Sequence, residues 1–197
     1  MNFQEYSDYF QTILNTEPAK QNAPYNQVDY MDYSKLNWSR MNRWFKTGKL
    51  SESLVELIKQ IELPMQWITI TEPWCGDAAH NIPFIEKLAR ENALISVRYV
   101  LRDTEPFLIN DYLTEGTKSI PKLIIRNAQG KDLATWGPRP AGCQELYAAL
   151  KKEAATFDTI KIEIQNWYNE NKGVAIQQEL TQTLAAILEN NVNPQTK

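Results

Sequence analysis

The sequence predicts an α/β fold in which helices flank a mixed four-stranded sheet, with helical extensions at the N- and C-terminal ends. Three observations predict this class. Four short runs rich in β-forming residues lie in the middle of the chain. A helical stretch separates the first two runs, so these strands are expected to be parallel. A short polar turn separates the last two, which predicts an antiparallel hairpin.

The segment 1–62 is predicted to be an N-terminal helical extension. It is rich in tyrosine, tryptophan and phenylalanine, and the turn-prone stretch TEPAKQNAPYNQ interrupts it. The apolar spacing predicts three helices, near residues 4–14, 34–47 and 51–60. Aromatic clusters at helical spacing usually pack in a core, so we do not interpret them as a cofactor site.

The segment 63–155 is predicted to be the core domain. Within DAAHNIPFIEKLARE, four apolar residues recur at intervals of three and four positions, which predicts the helix between the first two strands. Gly130 in RNAQGKD fits the hairpin turn, a weak helix is expected in the connector before the third strand, and a final helix is expected near 141–154. The four predicted strands are MQWITIT (65–71), ISVRYVL (95–101), KLIIR (122–126) and DLATW (132–136).

The segment 156–197 is predicted to be a C-terminal helical extension that ends in the polar tail NNVNPQTK. The sequence NKG separates two helices in the manner of a C-cap. Each of these helices carries an apolar stripe. The two stripes pack against the core with the N-terminal helices, or they form a dimer interface, so monomer and homodimer both remain open. The two apolar stripes are Phe157, Ile160, Ile164, Trp167 and Tyr168, and then Ile176, Leu180, Leu184, Ile187 and Leu188.

Charge and composition exclude several classes of function. The net charge of −3 gives no reason to expect a nucleic acid or an anionic membrane as partner. The sequence has neither a basic apolar leader nor a run of about 18 apolar residues, which predicts a cytoplasmic protein. Two cysteines are too few for a disulfide framework or a structural zinc site, so we expect reduced thiols and no metal.

The stretch TEPWCGDAAHNIPF carries the candidate chemistry. Cys75 lies where an apolar strand gives way to a helix. Unpaired N–H groups and the positive end of the helix dipole favour a thiolate at such a position. Asp77, two residues later, is expected to oppose the thiolate because its carboxylate is also negative. The pattern therefore favours a nucleophile with weaker activation.

The order of elements and this motif together resemble the thioredoxin superfamily. Trp74, Cys75 and Gly76 match the family's W-C-G at the start of a helix, and Pro83 matches the proline that kinks that helix. The resemblance covers roughly residues 64–154. It implies a thioredoxin-like fold for the core.

A second region carries the resemblance farther along the chain. SIPKLII, residues 119–125, is similar to the segment in which a cis-proline precedes the hairpin and faces the active cysteine. Pro121 would be that proline, following Ile120. Gly137 matches the glycine after the last strand, which lines the substrate groove in thioredoxins.

The sequence departs from the thioredoxin pattern at two positions. Thioredoxins have Cys-Gly-Pro-Cys, whereas here Ala78 replaces the second cysteine. Thr69 replaces the buried acid that thioredoxins carry six residues before the first cysteine. A dithiol cycle within the motif is therefore excluded.

Two function classes follow from the resemblance. The first is a monothiol redox protein in which Cys75 forms a mixed disulfide with a protein or small-molecule partner. An external thiol such as glutathione, a co-substrate rather than a bound cofactor, then resolves it. The second is a thioredoxin-fold module that binds a protein or peptide without turnover. The implied site consists of catalytic Cys75 and substrate-binding Trp74, Gly76, Asp77, Ile120, Pro121 and Gly137.

Two further residues have chemistry that the motif does not use. His80 is the only histidine, and the rotation of about 100° per helical residue turns it away from Cys75. We expect it to be solvated or locally hydrogen-bonded. Cys143 is expected to be a small buried packing residue rather than a remote resolving thiol.

Overall fold

The computed structural model describes residues 1–192, and residues 193–197 of the predicted polar tail lie outside that range. Two short 3₁₀ turns, Pro18–Lys20 and Leu108–Asp111, connect longer elements, and the second lies where the weak connector helix was predicted. The helices are α1 (Phe3–Asn15), α2 (Val28–Thr47), α3 (Glu52–Ile58), α4 (Gly76–Arg90), α5 (Ala141–Lys152), α6 (Phe157–Asn171) and α7 (Val174–Val192). The strands are β1 (Met65–Thr71), β2 (Ile95–Leu101), β3 (Lys122–Asn127) and β4 (Asp132–Trp136).

The four strands form one mixed sheet in the order β2-β1-β3-β4. β1 pairs with β2 in parallel and with β3 antiparallel, and β3 pairs antiparallel with β4. Gly130 lies in the β3–β4 turn with φ of +80°, which glycine adopts without strain. The predicted α/β class and the predicted mixed sheet are confirmed.

The central strand β1 leads directly into the candidate site. All of its residues from Trp67 to Thr71 are buried, because neighbouring strands pair with both of its edges and packed elements cover both of its faces. Trp67 contributes to one apolar cluster, and Ile68 and Ile70 contribute to another. The second cluster also contains Cys75, so the core packing continues into the site.

The first two N-terminal helices begin earlier than predicted and cover part of the site. α2 begins at Val28, directly after the turn-prone stretch, rather than near residue 34. Tyr6 and Phe10 of α1 are fully buried in the cluster that contains Cys75. Tyr30 and Tyr33 of α2 instead line a groove beside that cysteine. Most of the predicted aromatic packing is therefore present, and two of the tyrosines face the site.

The C-terminal helices pack against the rest of the chain. Ile176, Leu180 and Leu184 of α7 belong to the cluster that contains Trp67. In α6, Ile160 and Tyr168 are buried, whereas Phe157 is 75% exposed and departs from the predicted stripe. Phe157 is the first residue of α6, at the rim of the groove, where no element covers it.

The NKG junction between α6 and α7 forms a left-handed C-cap. Lys172 has φ of +52° and donates its N–H to the Tyr168 carbonyl at 3.0 Å. Gly173 has φ of +80°, and a β-carbon there would collide with the ring of Phe84. A glycine is needed at this junction for conformation and for space. Among residues 1–192, no helix combines the length and the apolar character that crossing a membrane requires.

Gly137→Ala is expected to lower the free energy of unfolding by at least about 2 kcal/mol. Gly137 has φ of +112°, and a β-carbon there would collide with the Pro121 carbonyl oxygen. Strain at positive φ costs about 1 to 3 kcal/mol, and the collision adds to it. Urea denaturation measures the change.

Gly142→Ala is the matched control for this experiment. Gly142 lies in α5, and the nearest atom to an added β-carbon would be 3.6 Å away, at ordinary contact distance. Alanine is the better helix former, so this variant should be neutral or more stable by up to about 1 kcal/mol. Equal losses in both variants would contradict the steric account of Gly137.

Candidate functional site

Cys75 is the N-cap residue of α4, immediately after the turn that follows β1. Its backbone N–H donates to the Glu72 carbonyl at 3.0 Å, which closes that turn. Its Sγ accepts the N–H of Ala78 at 3.4 Å and donates to the Ile120 carbonyl at 3.2 Å. The Ile120–Pro121 peptide bond is cis. The structure therefore brings the WCG motif and the SIPK segment together at one sulfur atom.

A groove of about 1000 Å³ runs past Cys75. Its wall contains Trp74, Cys75, Gly76, Asp77 and Ile120, which were all predicted from the sequence as site residues. The rest of the wall comes from the N-terminal part of α2, the segment 117–119, the first turns of α6, and the side chains of Arg102 and Arg139. The groove therefore combines core residues with residues from both helical extensions.

Pro121 and Gly137 lie beside this groove rather than in its wall. Pro121 is buried, and Gly137 packs against its backbone. The Gly137 carbonyl accepts a hydrogen bond from the Lys122 ammonium at 3.1 Å. Gly137 was predicted to line the groove, and the structure gives it a different role, in which it lets the last strand approach the Pro121 backbone closely.

The Cys75 thiol is protonated in this environment. Only 6% of the residue is exposed. Burial and, second, the Asp77 carboxylate raise the pKa of the thiol to about 12, although the Ala78 N–H and the Arg139 guanidinium act in the opposite direction. The helix terminus therefore stabilises the thiolate less than desolvation disfavours it.

The Asp77 carboxylate is paired with Arg139 and Tyr168, two partners that the sequence analysis did not predict. Arg139 Nη2 donates to Asp77 Oδ2 at 2.6 Å, and the hydroxyl of Tyr168 donates to Oδ1 at 2.7 Å. Asn81 donates its side-chain amide to the same hydroxyl at 3.0 Å. Because Arg139 and Tyr168 come from the region after β4 and from α6, they fix the start of α4 against both.

His80 is neither solvated nor locally bonded, and both expectations were wrong. It is 3% exposed, and its ring stacks on Tyr168 with centroids 4.2 Å apart. The Trp44 indole N–H donates to Nδ1 at 2.8 Å, so Nε2 carries the proton and donates to Gln165 at 3.1 Å. His80 therefore connects α2, α4 and α6.

Burial, followed by the positive charge of Arg40, lowers the pKa of His80 from 6.5 to about 3. The folded chain therefore keeps this ring neutral while the unfolded chain binds a proton below about pH 6.5. The contribution of the neutral His80 ring to folding stability is fully present above that pH and is lost as the pH falls toward 3.

Relative to His80→Gln, the wild type should lose up to about 1.4 kcal/mol of unfolding free energy per pH unit between pH 6 and 4. Urea denaturation across this range measures both proteins. Their difference should be constant above pH 7.5, where the imidazole is neutral in both states. Parallel profiles down to pH 4 would show that the buried ring titrates normally.

Cys143 is fully buried in α5 and is not disulfide-bonded, as the packing interpretation expects. Burial raises its pKa to about 12, and the negative charge of Asp77 contributes to the shift. Among the described residues, no group of three or more histidine, cysteine and acidic side chains can hold a metal ion.

Glu72 is a second buried carboxylate near the motif. It is 4% exposed. Its carboxylate accepts one hydrogen bond from the Tyr25 hydroxyl at 3.1 Å and another from the Asp103 backbone N–H at 3.1 Å. Burial raises its pKa. Tyr25 belongs to the N-terminal segment, so this contact ties that segment to the loop that carries Cys75.

The missed residues share one property. Arg40, Arg139, Tyr168 and Gln165 are far in sequence from Cys75 and acquire their roles only through helix packing. Arg139 had a weak local signal, since it follows Gly137 at the end of the hairpin. Tyr168 appeared only as a member of an apolar stripe, and its hydroxyl gave no indication of its partner.

A family comparison agrees with this geometry. A sequence model of the thioredoxin family matches residues 24–153, about two thirds of the chain. The chain belongs to the thioredoxin family. The match begins before α2, so it includes part of the segment predicted as an N-terminal extension of the thioredoxin core.

Two solved structures are similar to this thioredoxin-family chain along almost its whole length. One is a protein of unknown function from Pseudomonas aeruginosa, with 16% identity, a TM-score of 0.55, and coverage of 96% of this chain and 98% of the other. The second is an HIV epitope scaffold, with 15% identity, a TM-score of 0.55, and coverage of 96% and 99%. These likenesses show the fold alone. No curated protein matches the chain.

Proposed function

We propose that this thioredoxin-family protein is a monothiol redox protein that forms mixed disulfides through Cys75. One observation carries the proposal. The Cys75 sulfur caps α4, faces the Ile120 carbonyl at 3.2 Å and belongs to the wall of a groove large enough for a peptide or a small disulfide. This combines a nucleophile with a place for its substrate.

The reaction proceeds in two exchanges. The Cys75 thiol loses its proton to solvent, and the thiolate attacks one sulfur of a bound disulfide. The S–S bond of the substrate breaks, one half leaves as a thiolate that takes up a proton, and the other half stays bonded to Cys75. An external thiol then attacks the mixed disulfide, forms a new disulfide with the retained half and restores the Cys75 thiol.

Ala78 explains why the second exchange needs an external thiol. Ala78 occupies the position at which a resolving cysteine would attack, and its methyl group supplies no sulfur. Glutathione or another low-molecular-weight thiol of a reducing compartment such as the cytoplasm is the proposed co-substrate. Trp74, Gly76 and Ile120 form the wall against which the substrate lies.

A binding module without turnover is the second candidate, and the environment of the sulfur favours it. A thiol with a pKa near 12 and only 6% exposure has a very small thiolate population at neutral pH. The groove remains available to a peptide under either proposal. The two candidates therefore differ in whether Cys75 reacts when a disulfide occupies the groove.

The pH dependence of Cys75 alkylation distinguishes the two candidates. The experiment uses the Cys143→Ser variant, so that Cys75 is the only thiol, and measures its rate with iodoacetamide from pH 6 to 10. A disulfide-bearing model compound is then added, and intact mass reports the mixed disulfide.

The redox proposal expects an adduct on the folded protein that persists until glutathione is added. Cys75→Ser, which retains a hydrogen-bonding group at the N-cap, is the matched control and should give no adduct. A folded protein that forms no adduct, while the same protein in urea does so readily, would exclude the redox proposal in favour of the binding module.

A further inference from the structure

A second cavity of about 140 Å³ lies next to the groove. The two share part of their walls, including Tyr33, Gly76, Asp77 and Arg139. α2 contributes Arg40 to the smaller cavity, and α6 contributes Gln165. The cavity is therefore formed by the thioredoxin helix α4, one helix from each extension, and Arg139 and Tyr147 from the segment after β4.

The cavity wall is positively charged although the whole chain has a net charge of −3. Its charged side chains are Arg40, Arg139, Lys161 and Asp77, and Asp158 of the adjoining groove pairs with Lys161, which leaves an excess of one positive charge. His80 also lies in the wall and is neutral, because burial lowers its pKa to about 3. The local field therefore favours an anion.

Arg40 is the cation that has no carboxylate partner. Arg139 pairs with Asp77 at 2.6 Å, and Lys161 pairs with Asp158 at 2.7 Å. Within residues 1–192 the half-buried Arg40 forms no salt bridge.

The contacts of Arg40 are with neutral side chains. It donates to Asn37 Oδ1 at 2.9 Å and stacks over Tyr33, with 5.5 Å from its guanidinium carbon to the ring centroid. A partly desolvated guanidinium without a counterion is unfavourable, and a bound anion would relieve that cost.

The structure holds Arg40 in this position. Asn37, fully buried on the preceding turn of α2, also donates its side-chain amide to the Pro73 carbonyl at 3.1 Å. This contact fixes α2 to the turn that carries Cys75. Gly76 permits the close approach, because a β-carbon there would lie 3.2 Å from the Tyr33 hydroxyl and 3.8 Å from Arg40 Nη1.

We infer that this cavity binds the carboxylate or sulfonate group of a small disulfide or thiol substrate, with Arg40 as the anion-binding residue. The sulfur end of the same molecule lies in the adjoining groove at Cys75. The cavity volume corresponds to about four or five water molecules at about 30 Å³ each, which suits one anionic group with a short carbon chain. The sulfur chemistry rests on the proposed function, whereas anion binding does not.

The first experiment tests anion binding without any thiol chemistry. Cys75→Ser protein is titrated with sodium sulfate, and NMR follows the backbone amides of Gly76 and Asp77 and the side-chain Nε–H of Arg40. Sodium chloride at matched ionic strength is the reference. Saturable shifts confined to these groups are expected.

Two additional variants locate the binding residue. Cys75→Ser with Arg40→Gln should lose the saturable shifts. Cys75→Ser with Arg98→Gln should keep them, because Arg98 is an exposed arginine of β2 outside the cavity. The absence of saturable shifts in the parent protein, or their persistence in a folded Arg40→Gln variant, would overturn the inference.

The second experiment tests the substrate class. The anionic disulfide 3,3′-dithiodipropionate and the cationic disulfide cystamine, which has the same two-carbon chains, are compared by intact mass as reactants of Cys75 in the Cys143→Ser background. Arg40→Gln should slow the anionic reagent about tenfold, as expected for loss of one favourable ion pair, and should not slow cystamine.

The two experiments distinguish the two possible failures. If Cys75 reacts with neither reagent, the proposed redox function fails and the sulfate titration still decides whether the cavity binds anions. If both reagents react and Arg40→Gln slows them equally, the redox function stands and the anionic substrate class is excluded.

Discussion

Replacing Arg139 by methionine is expected to lower the free energy of unfolding by about 3 to 5 kcal/mol. The side chains of Arg139 and Asp77 are only 14% and 12% exposed, so the substitution leaves a carboxylate buried without its charge partner. Methionine keeps most of the apolar volume, including the contact with the Tyr147 ring, where the guanidinium carbon lies 4.4 Å from the centroid. Thermal and urea denaturation measure the loss.

A double variant tests whether the unpaired charge causes this loss. Arg139→Met with Asp77→Asn removes both charges, and asparagine can still accept the Tyr168 hydroxyl. It should recover more than half of the stability that Arg139→Met loses, because breaking a buried pair costs more than removing it. Equal instability of the single and double variants would show that the arginine acts through packing.

The same variants shift the reactivity of Cys75. Asp77 raises the pKa of the Cys75 thiol and Arg139 lowers it. Arg139→Met should therefore slow alkylation at pH 8, and Asp77→Asn should accelerate it. An unchanged rate in both variants would show that burial alone sets the reactivity.

The second large effect is expected from Ala78→Cys. In the wild type, attack on a disulfide should release one thiol per protein and leave a stable adduct. In Ala78→Cys the new sulfur should attack that adduct, form an internal bridge and release the second thiol. Cys75 Sγ already accepts the residue 78 N–H at 3.4 Å, and side chains three residues apart at a helix start lie within disulfide reach.

Ala78→Ser is the control for this conversion. Ala78 is 1% exposed, so any larger side chain strains the packing around it, and serine has nearly the volume of cysteine without its sulfur. Both variants are checked for cooperative unfolding before the assay. An adduct that lasts as long on folded Ala78→Cys as on the wild type would contradict the proposed geometry at the start of α4.

The sequence alone was sufficient for the sheet and for the position of the nucleophile. Strand patterns and turn residues are local signals, so MQWITIT and DLATW predicted the bounds of β1 and β4. The motif WCG and the segment SIPK predicted which two regions meet at the sulfur, through the family resemblance. Burial of Cys143 followed from the usual preference of a thiol for packing.

Only the tertiary structure decided the environment of that nucleophile. Arg139 and Tyr168 donate hydrogen bonds to the Asp77 carboxylate, and Arg40 reaches the cavity beside Gly76. These contacts join residues so far apart in sequence that no local pattern encodes them. His80 lost its solvent because α2 and α6 pack over it. Charge, desolvation and pKa depend on which side chains packing brings within a few ångströms, and that depends on how all the helices pack together.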